Sequence, residues 1–508
     1  MVTRRSFSPS VCAAFGAAIG YYVYSRLYHA GVLGLTGFYM LLLVPLAVLC
    51  LSRALIDFPL YSNLRELKIA ARYILAFFVG LCLGIGAGGN AQPRLDWGLP
   101  TEKITAVSGV LAEDPRLVSG GRAMAVLKLS GTAADGALRA SARGEIPVLF
   151  PGEHSARLKE FGRETAVFAS GIIYYGSSGN AGKGTSGPLF IADSLHITKP
   201  APRLEMFRTN VCNSMTQRFT ARESQGKSWG ALSLALLLGI RDNLDSGFTG
   251  LFRGAGCSYL LALSGMHLAV IAAMIALLLK KPLGQNAAAI AGALIITAYC
   301  VLVGPLPSLY RSGLMYLLGA LAIIGSLKRD AVSVLCMAFI IQITVSPSAG
   351  YSISFILSYL ALIGILLAGE SLCYLFRGKI PEIISGSLSM SIGAFLLTAG
   401  VSVYYFGMLR PVGILCSLIM TPLITVFMTG SIIWLLLDFI SPVLSGILSP
   451  LLSLLYSSME KTALLSAHAP PLNAGFWPVL ALSLVLSVCI ILLARRTRVL
   501  RNTIPAFG

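Results

Sequence analysis

Long apolar runs, separated by short polar connections, make up most of the chain. A run of roughly 18 or more residues with almost no charge has the length of a helix that crosses the hydrocarbon core of a bilayer. Several runs exceed this length, and the whole pattern predicts about twelve membrane spans, at 9–28, 31–52, 70–90, 258–279, 287–304, 310–326, 331–346, 351–369, 383–405, 411–437, 443–466 and 475–494. The predicted fold class is therefore a polytopic α-helical membrane protein.

A different pattern occupies residues 93–205, where apolar and polar positions alternate over short stretches. Such alternation is typical of half-buried strands, and Gly, Pro, Asp and Ser separate the stretches. The strands are predicted in ITAVSGVLAEDP, AMAVLKLSG, ALRASARGEIPVLF, TAVFASGIIYYG and PLFIADSLHIT. Five strands in a segment of this length suit a small barrel such as the OB-fold. We therefore predict an inserted, OB-like all-β domain.

The charge pattern predicts the orientation of the spans. Cytoplasmic connections of membrane proteins are enriched in Lys and Arg, which accounts for part of the net charge of +18. Basic residues fall in alternate connections and in the tail: Lys280, Lys281, Lys328, Arg329, Arg377, Lys379, Arg495, Arg496, Arg498 and Arg501. The alternation places both termini in the cytoplasm and the β domain on the outer side of the membrane. Arg410, at an outer connection, and 438–441, an inner connection with Asp438 and no basic residue, depart from it.

These patterns divide the chain into five parts. They are an N-terminal membrane region (1–92), the β domain (93–205), a linker (206–257), the main membrane domain (258–494) and a basic cytoplasmic tail (495–508). Within the linker, the apolar run 229–240 is too short to span a bilayer. We interpret it as an interfacial or re-entrant helix on the outer side.

A few polar residues lie in the apolar runs, where ionisable groups are costly and tend to face a bundle interior or a wet cavity. His267 lies about ten residues into the predicted span 258–279, close to Ser264 and Gly265, and Arg311 and Ser358 lie in two later spans. Each has a structural alternative: His267 as a neutral imidazole bonded to a neighbouring helix, and Arg311 as an anchor at the membrane surface. The sequence leaves both alternatives open.

Several stretches resemble the ComEC competence family of inner-membrane DNA-uptake channels. The resemblance rests on GIRDNLDSGFTGLFRGAGCSYLLALSGMHLAVI (239–271), PSLYRSGLM (307–315), SPSAGYSISFILSYLALIGIL (346–366) and YYFGMLRPVGILCSLIMTP (404–422). These motifs occur in the family's order over about 229–425. The chain departs from the family pattern at Tyr259, Ser312, Ile356 and Ser417, where the family has His, Ala, Gln and Asn.

The resemblance implies a channel subunit that transports single-stranded DNA across the inner membrane during natural transformation. Ser264, Gly265 and His267 would then belong to a polar seam in the channel core, beside Arg311 and Ser358, with Arg241 adding positive charge at its mouth. The implied partners are single-stranded DNA, the lipid bilayer, an extracytoplasmic DNA receptor, cytoplasmic helicase, ATPase or recombination proteins, and a possible second copy of the chain.

No catalytic residue, metal or cofactor is predicted. Many family members carry a metallo-β-lactamase-like domain with an HxHxDH motif, and the five histidines of this chain form no such cluster. The ten cysteines include no CxxC pair and lie almost all in apolar runs, where they act as small buried side chains. Walker A spacing is also missing from the glycine-rich loop 176–187.

Two other functions remain open from the sequence. One is a proton-linked secondary transporter or flippase of a small or lipidic solute, with His267 as the proton-linked group. The other is a membrane anchor for the β domain, in which His267 and Arg311 serve only packing. Whether the β domain contacts DNA is also open, because its aromatic residues Phe150, Phe168, Tyr174, Tyr175 and Phe190 suit either base stacking or a barrel core.

Overall fold

A computed structural model describes most of the chain. The described residues are 9–29, 65–89, 95–118, 121–134, 138–154, 158, 160–175, 188–221, 229–327 and 330–503. The predicted span 31–52 and the basic pair Lys328–Arg329 lie outside them. The chain forms two compact units, which we describe separately: a first unit (1–92, 272–300 and 306–359) and a second unit (93–271, 301–305 and 360–508).

Helices account for most of both units, as the apolar runs predict. They are α1 (Pro9–His29), α2 (Arg65–Gly89), α3 (Arg203–Thr220), α4 (Trp229–Leu238), α5 (Ser246–Gly254), α6 (Gly265–Val303), α7 (Pro307–Ile324), α8 (Ala331–Val345), α9 (Ile353–Gly364), α10 (Glu370–Phe376), α11 (Glu382–Phe406), α12 (Val412–Ile440), α13 (Pro442–Ala467) and α14 (Phe476–Thr503). A π-helical turn, Ile365–Gly369, joins α9 to α10.

Eight helical segments of the described chain are long and apolar enough to cross a membrane. They lie in α2, α6, α7, the continuous segment α9–α10, α11, α12, α13 and α14. The 39-residue α6 consists of two helical segments, because the backbone at Gly284, two residues after Pro282, is non-helical (φ 76°, ψ 175°). The two segments correspond to two predicted spans. The predicted spans 9–28 and 331–346 correspond to α1 and to the 15-residue α8, which are not among the eight.

The β domain is a closed barrel. Its strands are β1 (Ala106–Leu111), β2 (Arg116–Leu117), β3 (Ala123–Ala134), β4 (Leu138–Ser141), β5 (Glu145–Phe150), β6 (Ala166–Tyr175) and β7 (Pro188–Lys199). Five of them close a ring in the order β1–β3–β5–β7–β6–β1, in which β5 and β7 are parallel and the other pairs antiparallel. The short strands β2 and β4 both pair with β3. The prediction of a helical membrane protein with an inserted OB-like barrel is confirmed.

In the first unit, α1 and α2 pack through glycines. Gly16 and Gly20 on α1, and Gly80 and Gly84 on α2, are spaced four residues apart, so that each pair lies on one helix face. A Cβ added at Gly84 would overlap the backbone carbonyl oxygen of Ala17. Such small-residue faces let helix backbones approach closely in membranes.

In the second unit, α4 and α5 lie against the helical hairpin α12–α13. All ten residues of α4 are buried by protein. Near the end of α12, Trp229 packs edge-on against Trp434, and Ser233 Oγ lies 2.9 Å from Ser431 Oγ. Near the start of α12, Cys257 Sγ lies 3.7 Å from the carbonyl oxygen of Gly413.

The segment from Trp229 to Cys257 therefore follows α12 from Trp434 back to Gly413. This stretch of helix is about 32 Å long at 1.5 Å per residue, close to the thickness of the hydrocarbon core. Burial by protein instead of lipid favours the re-entrant interpretation of the run 229–240 over the interfacial one.

Four buried or half-buried charges join the barrel to α3. Glu205 accepts two hydrogen bonds from Arg163, of 2.7 and 2.6 Å, and one of 2.7 Å from Arg208 Nε. Arg208 also pairs with Asp114 and donates through Nη1 to the carbonyl oxygen of Leu302, at 3.1 Å. Burial alone would raise the pKa of Glu205, but the hydrogen bonds and charges of the two arginines outweigh it and hold that pKa below its usual range. The barrel, α3 and the end of α6 are thus tied together by ionised groups.

We expect Glu205→Gln to lower the free energy of unfolding by about 3 kcal/mol, because it leaves two guanidinium groups short of negative charge in a buried site. The measurement is thermal or denaturant unfolding of the purified chain in detergent. Glu113→Gln is the matched control, since the Arg116–Glu113 pair is largely exposed and should contribute less than about 1 kcal/mol. Equal effects of the two variants would contradict a stabilising role of the buried network.

We expect Gly84→Ala to destabilise the first unit by about 2 kcal/mol, because the added methyl group forces α1 and α2 apart. Gly86→Ala is the control on the same helix, since its Cβ would meet nothing within 4 Å and alanine favours helix by about 1 kcal/mol over glycine. Thermal unfolding of both variants in detergent compares them. A smaller loss at Gly84 than at Gly86 would rule out the close α1–α2 contact.

Candidate functional site

Ser264 and His267 form the start of α6. The sequence pattern predicts a continuous span from residue 258, whereas the helix begins at Gly265 and His267 lies in its first turn. The backbone N–H of Ser264 donates to His267 Nδ1 at 3.1 Å, and Ser264 Oγ lies 3.0 Å from the same nitrogen. This resembles a capping box, in which the third helical residue accepts from the N–H of the capping residue. The spacing of Ser264 and His267 is therefore explained by helix initiation.

The other ring nitrogen of His267 is not used by this cap. Because a backbone N–H can only donate, Nδ1 is the acceptor and the neutral ring carries its proton on Nε2. His267 is fully buried, and Nε2 has no hydrogen-bond partner among the described residues. An unpaired buried donor costs free energy. Nε2–H is therefore a buried donor without a partner among the described residues.

Arg241 approaches the same segment from the turn that follows α4. Gly239, with φ of 75°, ends α4 in the left-handed region, and Arg241 Nη2 then donates to the carbonyl oxygen of Leu261 at 3.1 Å. Leu261 lies in the non-helical stretch before Ser264, where carbonyl groups lack helical partners. Arg241 itself is exposed, so its remaining donors stay accessible. Ser264, Gly265, His267 and Arg241 thus meet around one break in the helical structure.

Arg311 and Ser358 form a separate group in the first unit. Arg311 is 6% exposed, and its Nη1 donates to the backbone carbonyl oxygen of Ser358 at 3.2 Å. Nη2 donates to Ser312 Oγ at 3.3 Å, and Nε has no partner within the described structure. The guanidinium lies over the ring of Tyr359, 5.8 Å from its centre. Such burial argues against an anchoring role at the membrane surface.

Arg311 makes no ion pair with any carboxylate of the described residues, in contrast to Arg208 and Arg163. Its surroundings are neutral. Tyr359 OH donates to Gln342 Oε1 at 2.9 Å, and Gln342 Nε2 donates to the carbonyl oxygen of Pro307 at 2.9 Å. These bonds hold α7, α8 and α9 together around Arg311. A buried cation with only neutral acceptors is an energetically costly arrangement that suits a transient anion.

Two charged residues that the sequence assigned to connections make tertiary contacts within the second unit, where Asp438 is buried and Arg410 half-buried. Asp438 lies in the last turn of α12, 8% exposed, and accepts from Arg218 Nη1 at 2.8 Å and from Ser445 Oγ at 2.9 Å. Arg410 Nη1 donates to the carbonyl oxygen of Gly254 at 2.6 Å and so holds the end of α5. No local sequence pattern indicates these contacts, because Arg218 is distant in the chain from Asp438 and Gly254 is distant from Arg410.

One of the positions that depart from the family pattern joins two helices. Ser417, on α12, donates from Oγ to Ser391 Oγ on α11 at 3.0 Å.

The apolar helices, the barrel and the polar residues buried among the helices define a multi-pass membrane protein with an OB-like domain. A family model described as "Competence protein" matches residues 236–498, about half of the chain, from the end of α4 to the last turns of α14. The chain belongs to this competence family, and it is of the ComEC type. The resemblance noted from the motifs is thus confirmed.

The chain is similar to parts of two relatives, and the name of the first agrees with this assignment. One, from Bacillus subtilis (strain 168), is named ComE operon protein 3 and is 23% identical over 199 residues, which are 38% of this chain and 24% of the relative. The other is an uncharacterized protein of Aquifex aeolicus (strain VF5), 28% identical over 213 residues, which are 42% of this chain and 49% of the relative. The matched stretches thus span half or less of each relative's length.

We expect Arg311→Met to leave the stability of the purified chain unchanged or raised by roughly 1–2 kcal/mol, because a neutral side chain of similar length removes an uncompensated buried charge. Arg208→Met, which removes the partner of two carboxylates, should instead cost about 3 kcal/mol. Thermal unfolding in detergent distinguishes the two. An equal loss for both variants would mean that Arg311 is a structural cation.

Proposed function

We propose that this protein is a channel subunit that passes single-stranded DNA inward across the bacterial inner membrane during natural transformation. Membership of the competence family supports a role in DNA uptake. The relative named ComE operon protein 3 is consistent with the same process.

The observation that carries the proposal is the uncompensated charge of Arg311. Single-stranded DNA is a polyanion, and a path for it through hydrocarbon needs hydrogen-bond donors and positive charge. Arg311 supplies a guanidinium with an unused Nε among neutral groups. A DNA phosphate would balance the charge of Arg311 only while the strand passes. The DNA would then be bound weakly enough to leave.

The break before α6 supports the same proposal. Non-helical backbone at membrane depth is tolerated where it is buried in protein or lines a water-filled cavity. The stretch before Gly265 would be of this kind. Arg241 donates to it and keeps exposed donors, and His267, in the first turn after it, has a buried Nε2–H without a partner among the described residues. Ser264, Gly265, His267, Arg241, Arg311 and Ser358 are the residues that we propose for the path.

The barrel offers a second contact with DNA. Phe150 and Phe190 are fully buried in its core, whereas Tyr174 and Tyr175 are 51% and 58% exposed at the end of β6. Exposed aromatic rings are the platforms on which OB-type domains stack bases. Tyr174 and Tyr175 would hold incoming single strands outside the membrane.

The proposal includes partners that this chain would require. The motive force would come from a cytoplasmic helicase or ATPase, and DNA would be delivered by an extracytoplasmic receptor and received by recombination proteins inside. One chain supplies few positively charged residues to the proposed path, and a second copy of the chain would add further ones. Both termini would lie in the cytoplasm.

The test is entry of labelled DNA into the cytoplasm of a transformable strain. We expect deletion to leave DNA bound outside but to block its entry, and His267→Ala and Arg311→Ala to reduce entry at least tenfold at equal membrane levels. His267→Gln isolates the role of Nε2, because glutamine at this position keeps a capping acceptor and should still reduce entry. The matched controls are His468→Ala and Arg377→Ala, both exposed, which should leave entry unchanged.

Normal entry after deletion, under conditions in which the strain transforms, would refute the channel and favour the proton-linked transporter. If His267→Gln allowed full entry of DNA, His267 would serve only as a helix cap. Normal entry with both alanine variants, together with loss of entry when 93–205 are removed, would favour the membrane anchor for the β domain.

A further inference from the structure

The first two turns of α3 have an inverted distribution of side chains. Glu205 and Arg208 are each 5% exposed, whereas Leu204 and Phe207 are 64% and 67% exposed. In a helix that faces water the apolar side chains are buried and the charged ones exposed. Met206, on the same turns, is also partly exposed at 37%. Within these first two turns, the outward face of α3 is therefore more apolar than the face that packs on the protein.

The buried side of α3 is fixed at the end of a predicted membrane span. Arg208 Nη1 donates to the carbonyl oxygen of Leu302, in the last turn of α6. Arg163, which shares Glu205 with Arg208, also lies beside Gly304, just after that helix ends. The first turns of α3 thus lie level with the end of an apolar helix, where hydrocarbon gives way to lipid headgroups.

Basic residues flank the apolar face. Arg203 opens the helix and is exposed, and Lys199, at the end of β7, is exposed as well. Interfacial helices combine buried apolar side chains with Lys or Arg that contact lipid phosphates. The basic residues and the apolar face of α3 therefore both fit a lipid bilayer as the partner.

We propose that the start of α3 is a lipid-binding surface, in which Leu204 and Phe207 insert into the outer leaflet of the membrane and Arg203 and Lys199 contact lipid phosphates. This surface holds the base of the barrel against the bilayer. The proposal does not depend on DNA transport.

The test is photocrosslinking of the full chain in native membranes. The photoreactive residue p-benzoylphenylalanine replaces Phe207 in one variant and Leu204 in another, and irradiated protein is examined for lipid adducts by mass spectrometry. Leu482, 61% exposed on the apolar helix α14, is the positive control. Tyr175 is the negative control, because it pairs with Pro188, about 36 Å along β7 from the end that leads to α3.

We expect lipid adducts at positions 207, 204 and 482, with at least a fivefold lower yield at 175. Absence of adducts at 207 and 204, with efficient labelling at 482, would overturn the proposal. Crosslinks from 207 to a second copy of the chain or to another protein, in place of lipid, would also overturn it and identify the surface as a protein interface.

Discussion

Every backbone N–H and C=O group that leaves water must find a partner, and in apolar surroundings the α-helix satisfies this requirement within one segment. Most of this chain obeys that rule through long apolar helices. The connections and helix ends between α4 and the start of α6 do not, and they depend on their neighbours instead. Arg241 pairs the carbonyl of Leu261, Arg410 pairs that of Gly254, and His267 accepts from the N–H of Ser264. Packing against α12 and α13 excludes lipid from α4 and α5.

Two buried arginines meet the cost of desolvation in different ways. Arg208 lies between two carboxylates, and the resulting network connects the barrel, α3 and the end of α6. Arg311 has only carbonyl, hydroxyl and aromatic neighbours within the described residues. The first arrangement contributes rigidity, since removing either partner leaves an unpaired charge. The charge of Arg311 is not balanced by a carboxylate of the described residues and can therefore attract an anion. For this reason the proposed DNA path rests on Arg311 and not on Arg208.

The polar residues of the candidate site were visible in the sequence, but their environments were not. His267 stands out because an ionisable group in an apolar run is rare. Its position three residues after a serine is also a local signal for a helix start, as in a capping box. The apolar run 258–279 nevertheless predicted a continuous span with His267 inside it, whereas the helix begins at Gly265. Asp438 and Arg218 were not paired from the sequence, because 220 residues separate them.

Local pattern determined the class of this protein: apolar runs of sufficient length require helices, and strict alternation requires strands, because both periods arise from backbone geometry within a few residues. Tertiary structure decided the rest. Closure of the barrel needs the parallel pair β5–β7 and the distant pair β1–β6. The glycine contacts of α1 and α2, the path of α4 along α12 and the balance of charge around Arg311 all join residues far apart in the chain. Burial and partners are properties of the packed chain, so no window of sequence contains them.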